Sequence, residues 1–186
     1  MTRAYVGLGA NVGDRLAALL AATAALDARD DTSVVATSPV YETEALVRPG
    51  AAPQPDHLNA VLALDTTLAP LSLLRVLRAI ERASGRDPAA PRWSPRPLDL
   101  DVLLYGARQL ATPALTVPHP GLAERRFVLR PLADLAPDLD VPGAGRTVAQ
   151  MLAATPDRSR VVRTAYGAGV HDTPSPNDHS GHGSGT

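Results

Sequence analysis

The sequence contains no cysteine and no lysine, and each absence removes a class of function. Without cysteine there is no disulfide framework, no thiolate metal site and no cysteine nucleophile. Without lysine there is no Schiff-base chemistry and no phosphate-binding loop of the kind that uses a lysine. The formal net charge of −1 gives no electrostatic reason to expect nucleic-acid binding. If a nucleotide binds, arginine and metal must therefore hold its phosphates.

Long apolar runs are also missing, so no segment reaches membrane-spanning length, and the N-terminus lacks the features of a signal peptide. We therefore expect a cytoplasmic protein with no membrane partner. The 186 residues, 45% of them hydrophobic, suit a single domain with its own core. After residue 166 the composition changes to Gly, Ser, Pro, His and Asp, which predicts one domain over residues 1–166 and a disordered tail over residues 167–186.

The most informative stretch is RWSPRPLDLD, residues 92–101. Its prolines argue against a helix, and the run from Leu98 to Tyr105 is predicted to be a strand. Alternation should then place every second residue from Leu98 to Leu104 on one apolar face, with Asp99 and Asp101 about 7 Å apart at Cα on the other. Two neighbouring carboxylates are costly without a cation between them, and Mg²⁺ is the natural candidate because it prefers oxygen ligands.

Three arginines precede this strand, Arg86, Arg92 and Arg96, and guanidinium groups suit phosphate oxygens. The only tryptophan of the chain, Trp93, lies among them. An Asp-x-Asp pair alone is a weak signal of metal binding, and an Arg-Trp pair can be ordinary surface. The combination of metal ligands, phosphate clamps and one large aromatic side chain is what makes the stretch specific.

The hydrophobic pattern predicts a first half in the order strand, helix, strand, strand, helix, strand. This order fits a ferredoxin-like core, an α+β fold with a mostly antiparallel sheet. The predicted strands are residues 4–9, 32–41 (broken late by Pro39), 58–64 and 98–105. The predicted helices are residues 15–28, capped by Asp14, and a helix from Pro70 to the residue before Gly85. Two proline-rich loops, residues 42–55 and 87–97, separate these elements.

The second half is predicted to contribute smaller elements. In order, they are an extended segment over 110–117, one helical turn over 122–126, extensions of the sheet over 128–135 and 137–141, a helix over 147–153 and a strand over 160–163. Near the start, Gly7 and Gly9 invite a dinucleotide-binding interpretation. However, Val12 occupies the position of the third glycine, so a tight strand-to-helix turn is the preferred explanation.

Together with three further blocks, the central stretch resembles the 6-hydroxymethyl-7,8-dihydropterin pyrophosphokinase family. The blocks are YVGLGANVGD at residues 5–14, DHLNA at 56–60, and PHP at 118–120 followed by ERRFVL at 124–129. The resemblance covers roughly residues 4–155. It implies a three-layer α/β/α form of the ferredoxin-like fold and an enzyme of folate biosynthesis. That enzyme transfers the β,γ-diphosphate of ATP to 6-hydroxymethyl-7,8-dihydropterin and releases AMP.

The resemblance also implies roles for individual residues. Asp99 and Asp101 would hold two Mg²⁺ ions, and both would be catalytic together with Arg86 and Arg96. The implied ATP-binding residues are Glu81, Trp93, Arg96, Thr116, His119 and Arg125. The implied pterin-binding residues are Thr43, Leu46, Asn59, Trp93 and Phe127.

Several of these residues have a plainer interpretation. Glu81 could be a solvated charge paired with a neighbouring arginine, and Asn59 could be a satisfied buried amide. His57 stands where the family often has tyrosine, and Glu44 follows Thr43 where a proline is often seen. As alternatives we consider another two-metal nucleotidyltransferase and a non-catalytic nucleotide- or pterin-binding module. A monomer is expected.

Overall fold

The structure is a computed structural model that describes residues 1–45, 53–87, 89 and 94–167. The strands of this part are β1 (Thr2–Ala10), β2 (Thr32–Thr37), β3 (Pro39–Thr43), β4 (His57–Thr66), β5 (Asp99–Tyr105), β6 (Leu110–Ala111), β7 (Thr116–Val117), β8 (Asp140–Val141), β9 (Arg146–Thr147) and β10 (Val161–Gly167). The helices are α1 (Arg15–Asp27), α2 (Pro70–Ala83), α3 (Arg126–Leu135) and α4 (Val148–Ala154).

The main sheet is antiparallel and has the strand order β10-β3-β4-β1-β5, with β2 also paired to β4. The two strands β2 and β3 share one edge of β4 and form a single long strand that is interrupted at Ser38. The Ser38 backbone N–H donates to the Val61 carbonyl at 2.9 Å, and its hydroxyl accepts from the Val61 N–H at 2.9 Å. The predicted strand over 32–41 and its late break are therefore confirmed.

Helices cover both faces of the sheet. Leucines of α1 and α2 are buried in a core cluster on one face, and residues of α3 and α4 are buried in a second cluster on the other. Each cluster removes an apolar face of the sheet from water, which is the main favourable term in folding. The predicted α+β fold with three α/β/α layers is confirmed.

The predicted starts of the first two helices are correct, and both follow from local chemistry. The Asp14 carboxylate accepts a hydrogen bond from the Ala17 N–H at 3.0 Å and so caps α1. Pro70 opens α2, where its missing N–H costs nothing, and Gly85 follows its end with φ of 86°. The last helix, α4, begins with a reciprocal capping box between Thr147 and Gln150.

One residue of β5 departs from the predicted alternation. Val6 pairs with Val102 but Tyr5 pairs with Leu104, so Leu103 is an extra residue, a β-bulge. Leu103 and Leu104 are consequently both buried in the cluster on the α3 side of the sheet. The prediction that Leu104 shares the face of Leu98 was wrong, because the bulge reverses the side-chain alternation.

The prediction for residues 128–135 was also wrong, since this segment is helix α3 and not part of the sheet. Pro131 lies inside α3, where proline removes a helix hydrogen bond, and this made the helical pattern easy to miss. Val128, Leu129 and Leu132 nevertheless lie at helical spacing and are buried. Their packing against the sheet is what stabilises a helix that propensity alone would disfavour.

The remaining short elements are hairpins outside the main sheet. Residues 110–117 form a β6–β7 hairpin instead of one extended segment, and its turn is closed by the Thr112 hydroxyl, which accepts from the Leu115 N–H at 3.0 Å. Part of the predicted 137–141 extension is β8, which pairs with β9 and with no other strand among the described residues.

The chain returns to the sheet at β10, which pairs with β3 and extends the predicted 160–163 strand to Gly167. Residues 168–186, most of the predicted tail, lie outside the described part. At the other end of the chain, Gly7 and Gly9 lie within β1 and not in the turn that follows it. Among the described helices, none is long and apolar enough to cross a membrane.

Candidate active site

A cavity of about 370 Å³ opens on the α3 side of the sheet. Two rows of three residues cross β4, β1 and β5 beneath it: Asn59–Gly9–Asp99 and Val61–Gly7–Asp101. The middle residue of each row has no side chain, which leaves open space above the centre of the sheet. At Gly9 a Cβ atom would lie 3.0 Å from the Asn59 Oδ1 atom. The two glycines thus form a floor between the amide on one side and the carboxylates on the other.

The carboxylate of Asp99 is paired with two arginines. Its Oδ1 atom accepts from Arg86 Nη1 at 2.6 Å, and its Oδ2 atom accepts from Arg96 Nη1 at 2.9 Å. These side chains are only 20–29% exposed, so the pairs are more strongly coupled than surface ion pairs. A phosphate or metal that binds here must therefore replace one or more of the contacts between Asp99 and the two arginines.

Glu81 lies beneath this network and is 1% exposed, so the interpretation as a solvated charge was wrong. It accepts hydrogen bonds from the Leu100 N–H at 2.8 Å, from Arg78 at 3.2 Å and from Arg86. Burial raises its pKa, against the effect of the Leu100 hydrogen bond and the two arginines. Glu81 thereby joins α2 to the strand carrying both aspartates and holds Arg86 in place. It does not line the cavity, and its predicted ATP contact stays a prediction.

Asp101 differs from Asp99 in its partners. Its Oδ2 atom lies 4.0 Å from His119 Nε2, and its side chain is 40% exposed towards the cavity. Burial by the cavity walls and the charge of Asp99 raise the pKa of Asp101, while His119 and Arg125 oppose the shift. A bound cation would therefore stabilise the ionised form of Asp101 more than that of Asp99, which already has two arginine partners.

The β-bulge places His119 beside Asp101. The backbone N–H of His119 donates to the carbonyl of the bulged Leu103 at 2.9 Å. The His119 Nδ1 atom accepts from the Gly121 N–H at 3.1 Å, so the neutral ring carries its proton on Nε2, facing Asp101. Burial lowers the pKa of His119, although the charge of Asp101 counteracts this effect.

Sequence reasoning missed Asn11, which fixes the backbone of Arg96. Asn11 is 1% exposed, and its Oδ1 atom accepts from the Arg96 N–H at 2.8 Å while its own N–H donates to the Arg96 carbonyl at 3.2 Å. Its Nδ2 atom donates to Gln54 at 3.3 Å. The available signal was an asparagine at the end of a glycine-rich strand, but its partner is 85 residues away.

Neutral side chains, those of Thr43, His57, Asn59 and Phe127, line the other end of the cavity, which we call the uncharged end. The Asn59 side chain donates to the Thr43 hydroxyl at 2.7 Å, and both residues are largely buried. His57 lies opposite Thr43 in the pairing of β3 with β4 and lines the cavity. Burial lowers the pKa of His57, and the charge of Arg96 lowers it further. Phe127, in the first turn of α3, contributes a partly buried aromatic face.

Most of the predicted site residues meet in this cavity. Those that line it are Thr43, Asn59, Arg86, Arg96, Asp99, Asp101, His119, Arg125 and Phe127. Thr116 lies in β7 and does not line it. Leu46 and Trp93 lie outside the described residues.

The donor set fits a hard divalent cation. Asp99 and Asp101 offer carboxylate oxygens from one strand, above two residues without side chains. No group of three or more His, Cys, Asp or Glu side chains that could hold a metal occurs in the part of the chain that the structure describes. Such a pair is typical of a Mg²⁺ site in which substrate phosphates supply further oxygens.

Comparisons with known proteins show the family of this chain. A family model described as "7,8-dihydro-6-hydroxymethylpterin-pyrophosphokinase (HPPK)" matches residues 5–137. A Pseudomonas aeruginosa protein named "2-amino-4-hydroxy-6-hydroxymethyldihydropteridine pyrophosphokinase" is 49% identical over 154 residues, which cover 83% of this chain and 92% of the relative. A protein of the same name from Methylorubrum extorquens is 46% identical over 153 residues, 82% of this chain and 93% of the relative.

A solved structure agrees with the fold. The wild-type HPPK-DHPS of Plasmodium falciparum superposes with a TM-score of 0.59 at 17% identity, over 82% of this chain. This chain spans only 43% of that larger protein, so the likeness shows the ferredoxin-like fold alone. The matched family and the two bacterial relatives carry the assignment: the chain belongs to the 7,8-dihydro-6-hydroxymethylpterin-pyrophosphokinase family.

Proposed function

We propose that this protein transfers the β,γ-diphosphate of ATP to the hydroxymethyl group of 6-hydroxymethyl-7,8-dihydropterin in folate biosynthesis. The names of the two bacterial relatives support the reaction. The observation that carries the proposal is the floor of the cavity, where Asn59 and Asp99 lie in one row on either side of Gly9. A flat, polar heterocycle and a triphosphate can bind side by side there.

The pterin binds at the uncharged end. The Asn59 amide offers both a donor and an acceptor, which complement the edge of a pterin ring. Its bond to Thr43 supports this role, since it fixes the orientation of the amide before the ligand arrives. Phe127 stacks on the ring. The roles of Leu46 and Trp93 in pterin binding rest on the family resemblance, since both lie outside the described residues.

ATP binds at the charged end. Arg86 and Arg96 contact the transferred diphosphate, while Arg125 and His119 support the triphosphate. Arginine suits this task because its planar group can bind two phosphate oxygens at once. Glu81 and Thr116 act from outside the cavity lining, Glu81 by holding Arg86.

Asp99 and Asp101 would hold Mg²⁺, with two ions expected. When bound, the metal polarises phosphate oxygens and neutralises charge that develops in the transition state. Arg86 and Arg96 then have to leave Asp99, at least in part, and turn towards the diphosphate. The existing pairs hold both guanidinium groups beside the carboxylate assigned to the metal, and phosphoryl transfer requires charged groups that are positioned in this way before the substrate reacts.

The reaction is an in-line displacement at the β-phosphorus. The hydroxymethyl oxygen forms the new bond, the bond from the β-phosphorus to the α,β-bridging oxygen breaks, and AMP leaves with that electron pair. The hydroxyl proton is released to solvent. Arg86 and Arg96 stabilise the charge on the moving group, and the cavity residues orient the two substrates. Every assigned role lies in one chain, so we propose that a monomer is active.

The test identifies the nucleotide product. Purified protein is incubated with ATP, Mg²⁺ and 6-hydroxymethyl-7,8-dihydropterin, and the products are separated by chromatography. AMP that forms only when the pterin is present supports the proposal. Pyrophosphate as the product would favour a nucleotidyltransferase, ADP would mean transfer of the γ-phosphate, and ATP binding without turnover would favour a binding module. Light scattering during size-exclusion chromatography checks the monomer.

A further inference from the structure

Residues 155–160 join α4 to β10 and lie beyond the part of the chain that the family model matches. We name this segment the strap. It begins at Thr155, which is 2% exposed and whose N–H donates to the Met151 carbonyl at 2.9 Å at the end of α4. The Oγ atom of Ser159, further along the strap, is also buried. The segment is therefore packed against the protein and fixed at its start.

Asp157 of the strap caps α3. The Arg126 N–H, at the first residue of the helix, donates to Asp157 Oδ2 at 2.7 Å, and the Ser159 N–H donates to Asp157 Oδ1 at 2.8 Å. The residue at the cap position of α3 itself, Arg125, makes no side-chain capping bond. A carboxylate at a helix N-terminus also interacts favourably with the helix dipole. The first turn of α3 thus owes its cap to a residue 31 positions further along the chain.

The charge of Asp157 suits this role. Burial opposes its ionisation, but the hydrogen bonds from Ser159 and Arg126 outweigh burial and lower its pKa. Asp157 does not line the cavity, whereas the two residues on either side of Arg126, Arg125 and Phe127, both do. Asp157 can therefore affect the site only through the first turn of α3.

The other end of the strap reaches the first proline-rich loop. The Arg160 N–H donates to Glu44 Oε1 at 2.8 Å, and the Arg160 guanidinium forms an ion pair with Asp56. Glu44 and Asp56 lie on the two sides of residues 46–52, and Glu44 lines the cavity. The next residue, Val161, pairs with Thr43 in the sheet.

We propose that the strap positions two walls of the active site, with Asp157 and Arg160 as positioning residues. Asp157 sets the first turn of α3 and thereby the places of Arg125 and Phe127. Arg160 holds the two stems of the first loop against each other beside Thr43. The inference rests on the proposed function, because Arg125 and Phe127 are assigned there to ATP and pterin.

The main test is a graded series at Asp157. Asp157→Ala removes both acceptors, whereas Asp157→Asn keeps the shape and can accept one of the two bonds. A fivefold change in KM corresponds to about 1 kcal/mol, which is within the range of a capping interaction. We expect Asp157→Ala to raise the KM for both ATP and pterin about fivefold with a smaller change in kcat, and Asp157→Asn to lie between it and wild type.

A matched control is Asp138→Ala, which removes an exposed aspartate just beyond the other end of α3. It should leave both KM values unchanged. A purely structural role of Asp157 would lower the folded fraction and hence the apparent kcat, but it would not raise KM. Wild-type KM values in folded Asp157→Ala, checked by its Tm and circular dichroism, would overturn the proposal. If Asp157→Ala does not fold, Asp157→Asn supplies the same comparison.

The positioning role of Arg160 is tested with Arg160→Ala. The control is Arg163→Ala, at an exposed residue of β10. Arg15 of α1 also donates to the Asp56 carbonyl, at 2.6 Å, so this stem has a second anchor. We expect a rise of about threefold in the KM for pterin and no change in that for ATP, since exposed ion pairs contribute little. Equal changes for both substrates, or none, would overturn the Arg160 assignment.

A turnover-independent measurement separates this inference from the proposed function. Hydrogen exchange of the peptide containing the Arg126 amide, together with calorimetric ATP binding, needs no product formation. In Asp157→Ala we expect faster exchange there and about fivefold weaker ATP binding. If wild-type protein makes no AMP but these changes occur, the reaction assignment is wrong and the positioning role of the strap is supported. Unchanged exchange and unchanged ATP binding would overturn the positioning role of the strap even in an active enzyme.

Discussion

The two ends of the cavity are organised on opposite principles. At the charged end, Asp99 already binds Arg86 and Arg96, so a ligand must replace contacts that exist before it arrives. At the uncharged end, the Asn59 side chain is fixed by Thr43 and can meet a ring edge without rearrangement. The charged end is therefore suited to a change of partners during the reaction, and the uncharged end is suited to recognition. Substitutions of residues assigned to the metal or to the transferred diphosphate should therefore change kcat, and those at the uncharged end should change KM.

The largest effect is expected at Asp101. Asp101→Asn removes a carboxylate that we assign to the metal, and kcat should fall about 10³-fold or more while the fold stays intact. Steady-state kinetics with saturating ATP and pterin measures this loss. Asp140→Asn, at an exposed aspartate of β8, is the control and should keep wild-type kcat. Normal turnover in Asp101→Asn would refute the metal assignment.

A somewhat smaller effect is expected at Arg96. Arg96→Ala should lower kcat about 10²-fold but weaken ATP binding less than tenfold, because the arginine acts on charge that develops in the transition state. Calorimetry gives the ATP affinity and product formation gives kcat. Arg108→Ala, at an exposed arginine above Tyr105, should change neither quantity. Equal losses in affinity and rate would instead make Arg96 an anchor for ground-state phosphate. The charged end would then not differ from the uncharged end in its effect on kcat.

At the uncharged end the informative residue is Thr43. Thr43→Val keeps the shape but leaves the Asn59 side-chain N–H without its acceptor, so the amide loses its fixed orientation. We expect the KM for pterin to rise about tenfold, equivalent to about 1.4 kcal/mol, with little change in kcat or in ATP affinity. Thr43→Ser retains the hydroxyl and should behave as wild type. A fall in kcat without a rise in pterin KM would contradict the assignment.

The smallest effect concerns the stability of ligand-free protein and its pH dependence. The folded-state pKa of Asp101 is raised above 3.8, so folded protein binds this proton more tightly than unfolded protein does. The ionised carboxylate therefore costs stability above the raised pKa, and this cost disappears as the pH falls towards the unfolded pKa. Asp101→Asn should have a higher Tm than wild type at pH 7.5, and the difference should shrink towards pH 4. Calorimetry in the presence of a chelator measures it; a pH-independent difference would contradict the assigned pKa shift.

Much of the fold was predictable because local chemistry and tertiary packing agree. Asp14 and Pro70 mark helix starts through local chemistry, and β2 alternates at its start while β4 is almost continuously buried. The failures occurred where tertiary contacts override the local signal. Pro131 lies in a helix because neighbouring leucines pack on the sheet, and the alternation of β5 fails at Leu103 because β5 has a bulge there in its pairing with β1.

The site was predictable where its chemistry lies in one short stretch, as with Asp99 and Asp101. It was not predictable where partners are distant, as with Asn11 and the backbone of Arg96, or where burial converts a charge into a structural link, as with Glu81. One signal was available and overlooked. The Gly-x-Gly of β1 and the Asp-x-Asp of β5 have the same spacing, as expected of two strands that pair to leave a gap beside each carboxylate.

The pairing of arginines with carboxylates has a consequence for how substrates find the site. Among the described residues the charged end carries four arginines and three carboxylates, namely Arg78, Arg86, Arg96, Arg125, Glu81, Asp99 and Asp101. With His119 neutral, the excess is one positive charge, and at 0.1 M salt its field decays within about 10 Å. Diffusing anions are therefore attracted only weakly, and the rate of ATP encounter should vary little with ionic strength. Discrimination between ATP and other anions then depends on contact geometry after encounter, when phosphate oxygens must replace Asp99 as partners of two guanidinium groups.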